Sequence, residues 1–149
     1  MPVAIFEFLG TGTSQGVPII GCDCAVCMSD DPNDKRLRSA AYIKNELGGL
    51  NIDIGTDFRQ QMLRAGYDDT NAVLVTHEHI DHINGLDDVR PINYLKNKVI
   101  PVYAEDRVLE QIKNRFHYIF NYSPYPGLPQ IALKKISPDD DLILNGMKI

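Results

Sequence analysis

Residues 77–82 have the sequence His-Glu-His-Ile-Asp-His, in which five of the six side chains can bind a metal ion. They directly follow a short apolar run that is typical of a β-strand covered on both faces. In an extended segment, side chains two positions apart point the same way, so His77 and His79 can face one ion together. Where the chain turns into a helix, Asp81 and His82 can then approach a second, adjacent ion.

The donor types predict a two-metal centre rather than a structural zinc site. Neutral imidazole suits Zn, Fe, Ni or Cu, and a carboxylate adds the negative charge that hard cations prefer. Two ions about 3.5–4 Å apart can share a water molecule, lower its pKa to about 7 and stabilise both the attacking and the leaving oxygen. The alternative is that these are ordinary surface or core residues, which the spacing disfavours. We interpret the fourth histidine, His117, as a packing or surface residue of a helix.

The three cysteines form a second candidate site. Cys22, Cys24 and Cys27 lie within one stretch of six residues. This stretch is part of a long glycine- and cysteine-rich loop, which covers residues 10–38. An odd number of clustered cysteines without an export signal indicates thiolate metal ligands or buried thiols rather than a disulfide framework. The C-x-C-x-x-C spacing is tighter than that of ordinary zinc fingers, so both interpretations stay open.

The elements that must position these residues are short strands and amphipathic helices. Apolar runs predict strands at residues 3–9, 39–44, 50–54, 72–75, 99–103 and 131–136. Helical spacing predicts a helix between a cap at residue 56 or 57 and a stop at Gly66. A further helical pattern continues through residues 86–92 despite Pro91, and another covers residues 105–120.

The end of the sequence predicts a hairpin with a very short second arm. Asn145-Gly146 is a strong turn signal, but only three residues follow it. Because strands usually run about five or six residues, we interpret the chain as ending partway through a larger fold. A short terminal strand is the alternative. Upstream, the tyrosines and prolines of residues 118–129 predict a packed loop.

Composition limits the class of protein. A chain of 149 residues and 16.7 kDa fits one domain with a core of its own. Hydrophobic residues make up 44% and charged residues 23%, which excludes a disordered chain, a collagen or a coiled coil. No apolar run approaches a membrane span and no basic leader is visible, so we expect a cytoplasmic protein without a membrane partner. The net charge of −5 disfavours nucleic acid as a partner.

Three segments together resemble one family. Residues 77–82 resemble the metal signature of the metallo-β-lactamase superfamily of αββα hydrolases, and Ile-Asp-Ile-Gly at 52–55 resembles its upstream D-x-G element. Residues 8–14, with the cysteine segment, resemble the branch of cyclic-phosphate phosphodiesterases of phosphonate breakdown. Ribonuclease Z and the coenzyme-PQQ biosynthesis protein are relatives with a similar N-terminal loop. The resemblance implies an α/β fold, of which this chain is the N-terminal half, with a mixed sheet and helices on one side.

The resemblance also implies roles for individual residues. His77 and His79 would bind the first metal, and Asp81 and His82 the second. Asp53 would be a hydrogen-bond acceptor that steadies the ligands, with an exposed strand-end carboxylate as the alternative. In the phosphodiesterases, three thiolates like those of the cysteine segment hold a separate structural zinc together with a distant histidine.

The sequence departs from the family pattern in its second half. Family members supply a further histidine, a bridging aspartate and a last histidine from that half, but no histidine follows His117 here. Asp139, Asp140 and Asp141 offer carboxylates, which we interpret as part of a solvated loop. A single truncated domain over residues 1–149 is therefore expected, and half a site should bind metal weakly and catalyse poorly.

The leading hypothesis is a metal-dependent hydrolase, a phosphodiesterase with two divalent ions (Zn, Mn or Fe) and a small-molecule substrate. A bridging hydroxide would attack phosphorus, and Asp81 would orient it as well as bind metal. One alternative is a catalytically weak or inactive metal-binding fragment that forms a homodimer through an exposed apolar sheet face. Another is transfer-RNA 3′ processing, which the acidity and the lack of a basic insert disfavour.

Overall fold

A mixed sheet of six strands organises the chain in the computed structural model, which describes residues 3–121 and 125–149. Its strands lie side by side in chain order, β1 to β3 antiparallel and β3 to β6 parallel. They are β1 (Ile5–Gly10), β2 (Ala40–Asn45), β3 (Gly48–Ile52), β4 (Ala72–Leu74), β5 (Ile100–Ala104) and β6 (Ile131–Lys135). All except β2 therefore run in one direction and end at the same edge of the sheet, which we call the carboxyl edge.

Most of the helices bury part of their apolar side chains against one face of this sheet. The helices are α1 (Phe58–Ala65), α2 (Ile80–Ile83), α3 (Arg90–Lys96), α4 (Asp106–Arg115) and α5 (His117–Phe120), with 3-10 turns at Pro32–Asp34 and Asn84–Val89. One core cluster joins strand and helix residues, among them Val73, Val102, Phe58, Leu86 and Ile112. The α/β class and the mixed sheet with helices on one side are thus confirmed. None of the described helices has the length and hydropathy needed to cross a membrane.

Helix α1 has the predicted limits, but the residue before it does not cap it as expected. Gly66 ends it in the left-handed conformation, with φ of 73°, and its N–H donates to the Leu63 carbonyl. Asp57 precedes the helix, yet its side chain makes no capping hydrogen bond. Its carboxylate accepts instead from the backbone N–H of Arg38 at 2.9 Å and from the Arg38 guanidinium at 2.8 Å. Asp57 therefore fastens the end of the long loop to the helix.

Two predicted helices are broken in the structure. The pattern that crosses Pro91 divides into α2, a 3-10 turn and α3, because Pro91 lies in the first turn of α3, where its missing N–H costs no hydrogen bond. The pattern over residues 105–120 divides into α4 and α5 at Phe116, which leaves helical geometry as its side chain enters the core. The predicted tyrosine- and proline-rich loop includes Tyr122 and Pro124, which lie outside the described residues.

The second face of the sheet is also apolar. One row of paired residues crosses five strands on this face, since side chains alternate along each strand: Phe8, Ala41, Ile52, Leu74 and Tyr103. Phe8 at the edge is 68% exposed.

The predicted terminal hairpin is present as β7 (Ile143–Leu144) and β8 (Met147–Lys148), and the Asn145 carbonyl at its turn accepts a hydrogen bond of 2.8 Å from Asn45.

The core packing predicts a large effect of truncation in the central strand β5. Ile100 is fully buried, so Ile100→Ala should lower the free energy of unfolding by about 2–5 kcal/mol through lost burial and a residual cavity. The adjacent Val99 is 51% exposed, and Val99→Ala should change it by less than about 0.5 kcal/mol. Urea unfolding followed by circular dichroism measures both; equal effects would contradict this packing.

Candidate metal centre

The carboxyl edge of the sheet brings the predicted site residues together. Ile52 at the end of β3 pairs in parallel with Leu74 at the end of β4. The backbone N–H of Asp53 extends this ladder by donating to the Leu74 carbonyl at 2.9 Å. Asp53 and the segment that begins at Thr76 therefore leave the sheet side by side, at the edge where ligands of parallel sheets usually bind.

Close backbone contact fixes the turn that carries Asp81 and His82. The Ile54 N–H donates to the His82 carbonyl at 2.8 Å, and the Gly85 N–H donates to the Ile54 carbonyl at 2.8 Å. A Cβ atom on Gly55 would lie 1.8 Å from the backbone oxygen of Asp81. Only glycine fits at residue 55, because any side chain would push the segment bearing Asp81 away.

The His77 ring contacts both of the other histidines of the motif. The ring centroids of His77 and His79 are 4.6 Å apart, and those of His77 and His82 are 4.0 Å apart. His82 Nε2 lies 3.3 Å from an Asp81 carboxylate oxygen. An imidazole nitrogen without a hydrogen and a carboxylate oxygen repel each other unless a cation or a proton lies between them. A divalent cation at this position would remove the repulsion. The division of the donors into His77 with His79 and Asp81 with His82 stays a prediction from the family resemblance.

Asp53 is the buried member of the site. It is 6% exposed, so the alternative of an exposed strand-end carboxylate is wrong. One oxygen accepts from the Thr76 backbone N–H at 2.8 Å, and the other lies 2.7 Å from His82 Nδ1. Its φ of 59° is uncommon for a residue other than glycine, and such strain is frequent at functional sites. Its effect on metal affinity stays a prediction.

Sequence reasoning missed two residues at this edge. Thr76 contacts both Asp53 and His77 through its hydroxyl, and its place directly before the motif is the only local signal for it. Arg107 of α4 pairs with the carboxylate of Glu78. The backbone N–H of Glu78 itself and the Arg107 guanidinium hold the pKa of Glu78 below its usual value, against the opposing effect of burial. No local pattern predicts that pair, which joins residues far apart in sequence.

The cysteine loop forms a compact group of sulfur donors. The Sγ atoms of Cys22, Cys24 and Cys27 all lie within 4.8 Å of one another, and none forms a disulfide. Cys27 is buried and accepts a hydrogen bond of 3.4 Å from the Ile19 backbone N–H. Three sulfur atoms this close together could hold one metal ion, and thiolates are typical ligands of tetrahedral zinc.

The thiols differ in acidity. The Cys27 backbone N–H donates to the sulfur of Cys24 and, with hydrogen bonds from the neighbouring thiols, lowers the pKa of Cys24 to about 7. The hydrogen bond from Ile19 acts in the same direction on Cys27, but burial and the two neighbouring thiols outweigh it and raise the pKa of Cys27. Cys24 is also the exposed member of the group.

The remaining candidates lie apart from both groups. His117 is exposed on α5, as expected of a surface residue, and its ring packs edge-on against Tyr118 with centroids 6.1 Å apart. Asp139, Asp140 and Asp141 are exposed in the loop before β7, in agreement with a solvated loop.

Comparison with known proteins places these features in one family. A family model described as the beta-lactamase superfamily domain matches residues 50–149. A solved structure of a diphosphatase from the PhnP family is 41% identical, covers 90% of this chain and superposes with a TM-score of 0.80. The zinc-bound PqqB of Methylobacterium extorquens is 19% identical with a TM-score of 0.72 over 93% of this chain, which shows the shared fold. This chain spans 50% and 47% of those two chains.

Another similar protein has a name that indicates an activity different from that of the diphosphatase. The octanoyltransferase of Porphyromonas gingivalis is 50% identical over 132 residues, which are 88% of this chain but 26% of that protein. About three quarters of the relative therefore lie outside the matched segment. The family resemblance inferred from residues 77–82 and 52–55 is confirmed by the family model and by the solved structures.

The contact at Gly55 predicts a specific loss of metal binding. Gly55→Ala should displace Asp81 and weaken Mn²⁺ binding by at least about tenfold. Substitutions that disturb the residues holding a metal ligand in place typically lower metal affinity by about this much. Gly66→Ala is the control, since it strains a left-handed residue by about 1–2 kcal/mol but leaves the site intact. Calorimetric titration of the folded proteins measures both; unchanged Mn²⁺ affinity in Gly55→Ala would contradict the geometry.

The acidity of Cys24 predicts pH-dependent alkylation of the metal-free, reduced protein. The reactive thiolate forms as pH rises through the pKa, so reaction of Cys24 with iodoacetamide should reach half its maximal rate near pH 7. Cys27, with a raised pKa and a buried sulfur, should react far more slowly. Peptide mass spectrometry separates the sites. A Cys24 midpoint near that of an ordinary thiol, about 8.5, is the outcome that this geometry does not allow.

Proposed function

The chain belongs to the beta-lactamase superfamily, and on that premise we propose that it is a metal-dependent hydrolase, a phosphodiesterase or diphosphatase acting on a small molecule. The observation that carries the proposal is the meeting of His77, His79, Asp81 and His82 at the carboxyl edge of the sheet. The identity of 41% with a PhnP-family diphosphatase, over nine tenths of this chain, supports phosphorus as the centre attacked.

The residues of the site would have different roles in such a reaction. His77 and His79 would hold one cation, and Asp81 and His82 a second. Cations bound there would lower the pKa of a shared water toward about 7 and offset negative charge on phosphoryl oxygens. The free oxygen of Asp81 would accept a hydrogen bond from that water and orient it. Asp53 would keep the His82 ring in place through the contact at Nδ1.

The cysteine group would have a structural role in the same protein. A zinc ion on Cys22, Cys24 and Cys27 would order the long loop, which leaves β1 at the carboxyl edge. The loop returns to the sheet at Arg38, whose guanidinium pairs with Asp57 at 2.8 Å. Ordering the loop would therefore also steady its contact with Asp57 at the start of α1.

A second candidate is hydrolysis of an octanoyl ester or thioester. The observation that favours it is the 50% identity with a segment of a protein named octanoyltransferase. An activated water can attack a carbonyl carbon as well as phosphorus, so the same residues would serve both reactions. Because the matched segment is 26% of that relative, its named activity can also lie in the remainder.

The other hypotheses remain as weaker alternatives. A solved structure of human tRNase Z, short form, is 18% identical with a TM-score of 0.58, which shows the shared fold alone. The net charge of −5 still counts against an RNA substrate. Self-association through the apolar sheet face around Phe8 stays a prediction, as does a cytoplasmic location.

Hydrolysis of three substrates tests the proposal. The intact protein with Mn²⁺ or Zn²⁺ should hydrolyse an aryl phosphodiester or an aryl diphosphate faster than an octanoyl thioester. His79→Ala should lower kcat/KM by at least about 100-fold, since loss of a ligand should exceed the 10–100-fold cost of losing an outer partner. His117→Ala, at an exposed histidine outside the site, is the matched control and should retain full activity.

Each outcome of that experiment is decisive. Thioester hydrolysis that exceeds phosphodiester and diphosphate hydrolysis would establish the second candidate in place of the first. If His79→Ala hydrolyses all three substrates as fast as the unchanged protein, the site assignment is wrong.

A further inference from the structure

The hydroxyl of Thr76 lies between a buried carboxylate and a histidine of the candidate centre. Thr76 Oγ1 is 2.8 Å and 3.0 Å from the two carboxylate oxygens of Asp53. The same oxygen is 3.0 Å from Nδ1 of His77. Neither the family motif nor the spacing argument assigns a role to this side chain, which directly precedes the motif.

Counting hydrogens fixes the direction of each bond. A carboxylate has no hydrogen to donate, so the single hydroxyl hydrogen of Thr76 must point toward Asp53. Thr76 Oγ1 then faces His77 with a lone pair and can only accept from it. His77 Nδ1 must therefore carry the hydrogen, and Nε2 is left as the nitrogen that can bind a cation.

His82 has the same tautomer as His77, but no hydroxyl lies between its ring and Asp53. Its Nδ1 lies 2.7 Å from Asp53, so it must donate to the carboxylate directly, and its Nε2 faces Asp81. One buried carboxylate thus sets the hydrogen position in two rings, by contact for His82 and through a hydroxyl for His77.

We propose that Thr76 is a positioning residue. Its hydroxyl links the Asp53 carboxylate to His77 as a relay and thereby selects the tautomer of His77 that carries its hydrogen on Nδ1, which leaves Nε2 as the metal donor. The proposal rests on the proposed metal centre. Two features hold the relay in place. The Thr76 backbone N–H donates to Asp53 at 2.8 Å, and the β-branched side chain has few rotamers.

Two substitutions separate the hydroxyl from the shape of the side chain. Thr76→Val keeps the branched shape and removes the relay, whereas Thr76→Ser keeps the hydroxyl and removes a methyl group. His82 is an internal control in both variants, because its bond to Asp53 does not pass through residue 76.

The first measurement is the tautomer of His77 in metal-free protein at pH 8, where imidazole is ordinarily neutral. Long-range ¹H–¹⁵N correlation spectra, with His77 assigned by its absence from His77→Gln, distinguish the two nitrogens. The unchanged protein and Thr76→Ser should show hydrogen on Nδ1 of His77. Thr76→Val should show a mixture of both tautomers at His77 and an unchanged pattern at His82.

The second measurement is the affinity for Mn²⁺, a cation that favours nitrogen and oxygen ligands over the cysteine thiolates. Thr76→Val should weaken Mn²⁺ binding by about 10–100-fold, and Thr76→Ser should stay within about threefold of the unchanged protein. If Thr76→Val retains both the His77 tautomer and the Mn²⁺ affinity, the relay does not exist.

The design separates this proposal from the proposed function. The tautomer is read without metal or substrate, so a protein that hydrolyses none of the substrates can still confirm or refute the relay. Loss of Mn²⁺ affinity in Thr76→Ser but not in Thr76→Val would refute it in favour of a packing role for the methyl group.

Discussion

The burial of the Asp53 carboxylate is the constraint on which the candidate centre depends. Asp53 directly follows β3 in a left-handed conformation that costs a residue other than glycine of order 1–3 kcal/mol. A buried carboxylate is stable only when its oxygens are hydrogen-bonded, and here they bind the backbone and hydroxyl of Thr76 and face His82. One side chain thereby ties together the end of β3, the end of β4 and the start of α2.

This constraint explains why the sheet order matters for the chemistry. β3 and β4 are parallel neighbours, so their carboxyl ends deliver Asp53 and the histidine segment to the same place. The backbone contact between Gly55 and Asp81 then brings the second donor pair against the first. The same edge receives the start of the cysteine loop after β1. Fold and site are linked through this edge, and the apolar core holds its strands in order.

Local sequence was sufficient for most elements and for identifying the candidate donor residues, whose metal binding stays a prediction. The strands, the limits of α1 and the H-x-H-x-D-H segment each depend on neighbours within a few positions, which is where periodicity and turn signals act. The break at Phe116 and the pairing of Asp57 with Arg38 depend on tertiary contacts instead. The roles of Thr76 and Arg107 likewise arise only when β4 and α4 meet other segments, so no spacing rule predicts them.

The proposed function depends on one physical claim, that the histidine segment binds a pair of cations. Anomalous diffraction from crystals of the intact protein grown with Mn²⁺ tests it most directly. The account predicts two anomalous peaks about 3.5–4 Å apart, one beside His77 and His79 and the other beside Asp81 and His82. Crystals that contain Mn²⁺ at other positions, with no peak at these residues, would contradict it.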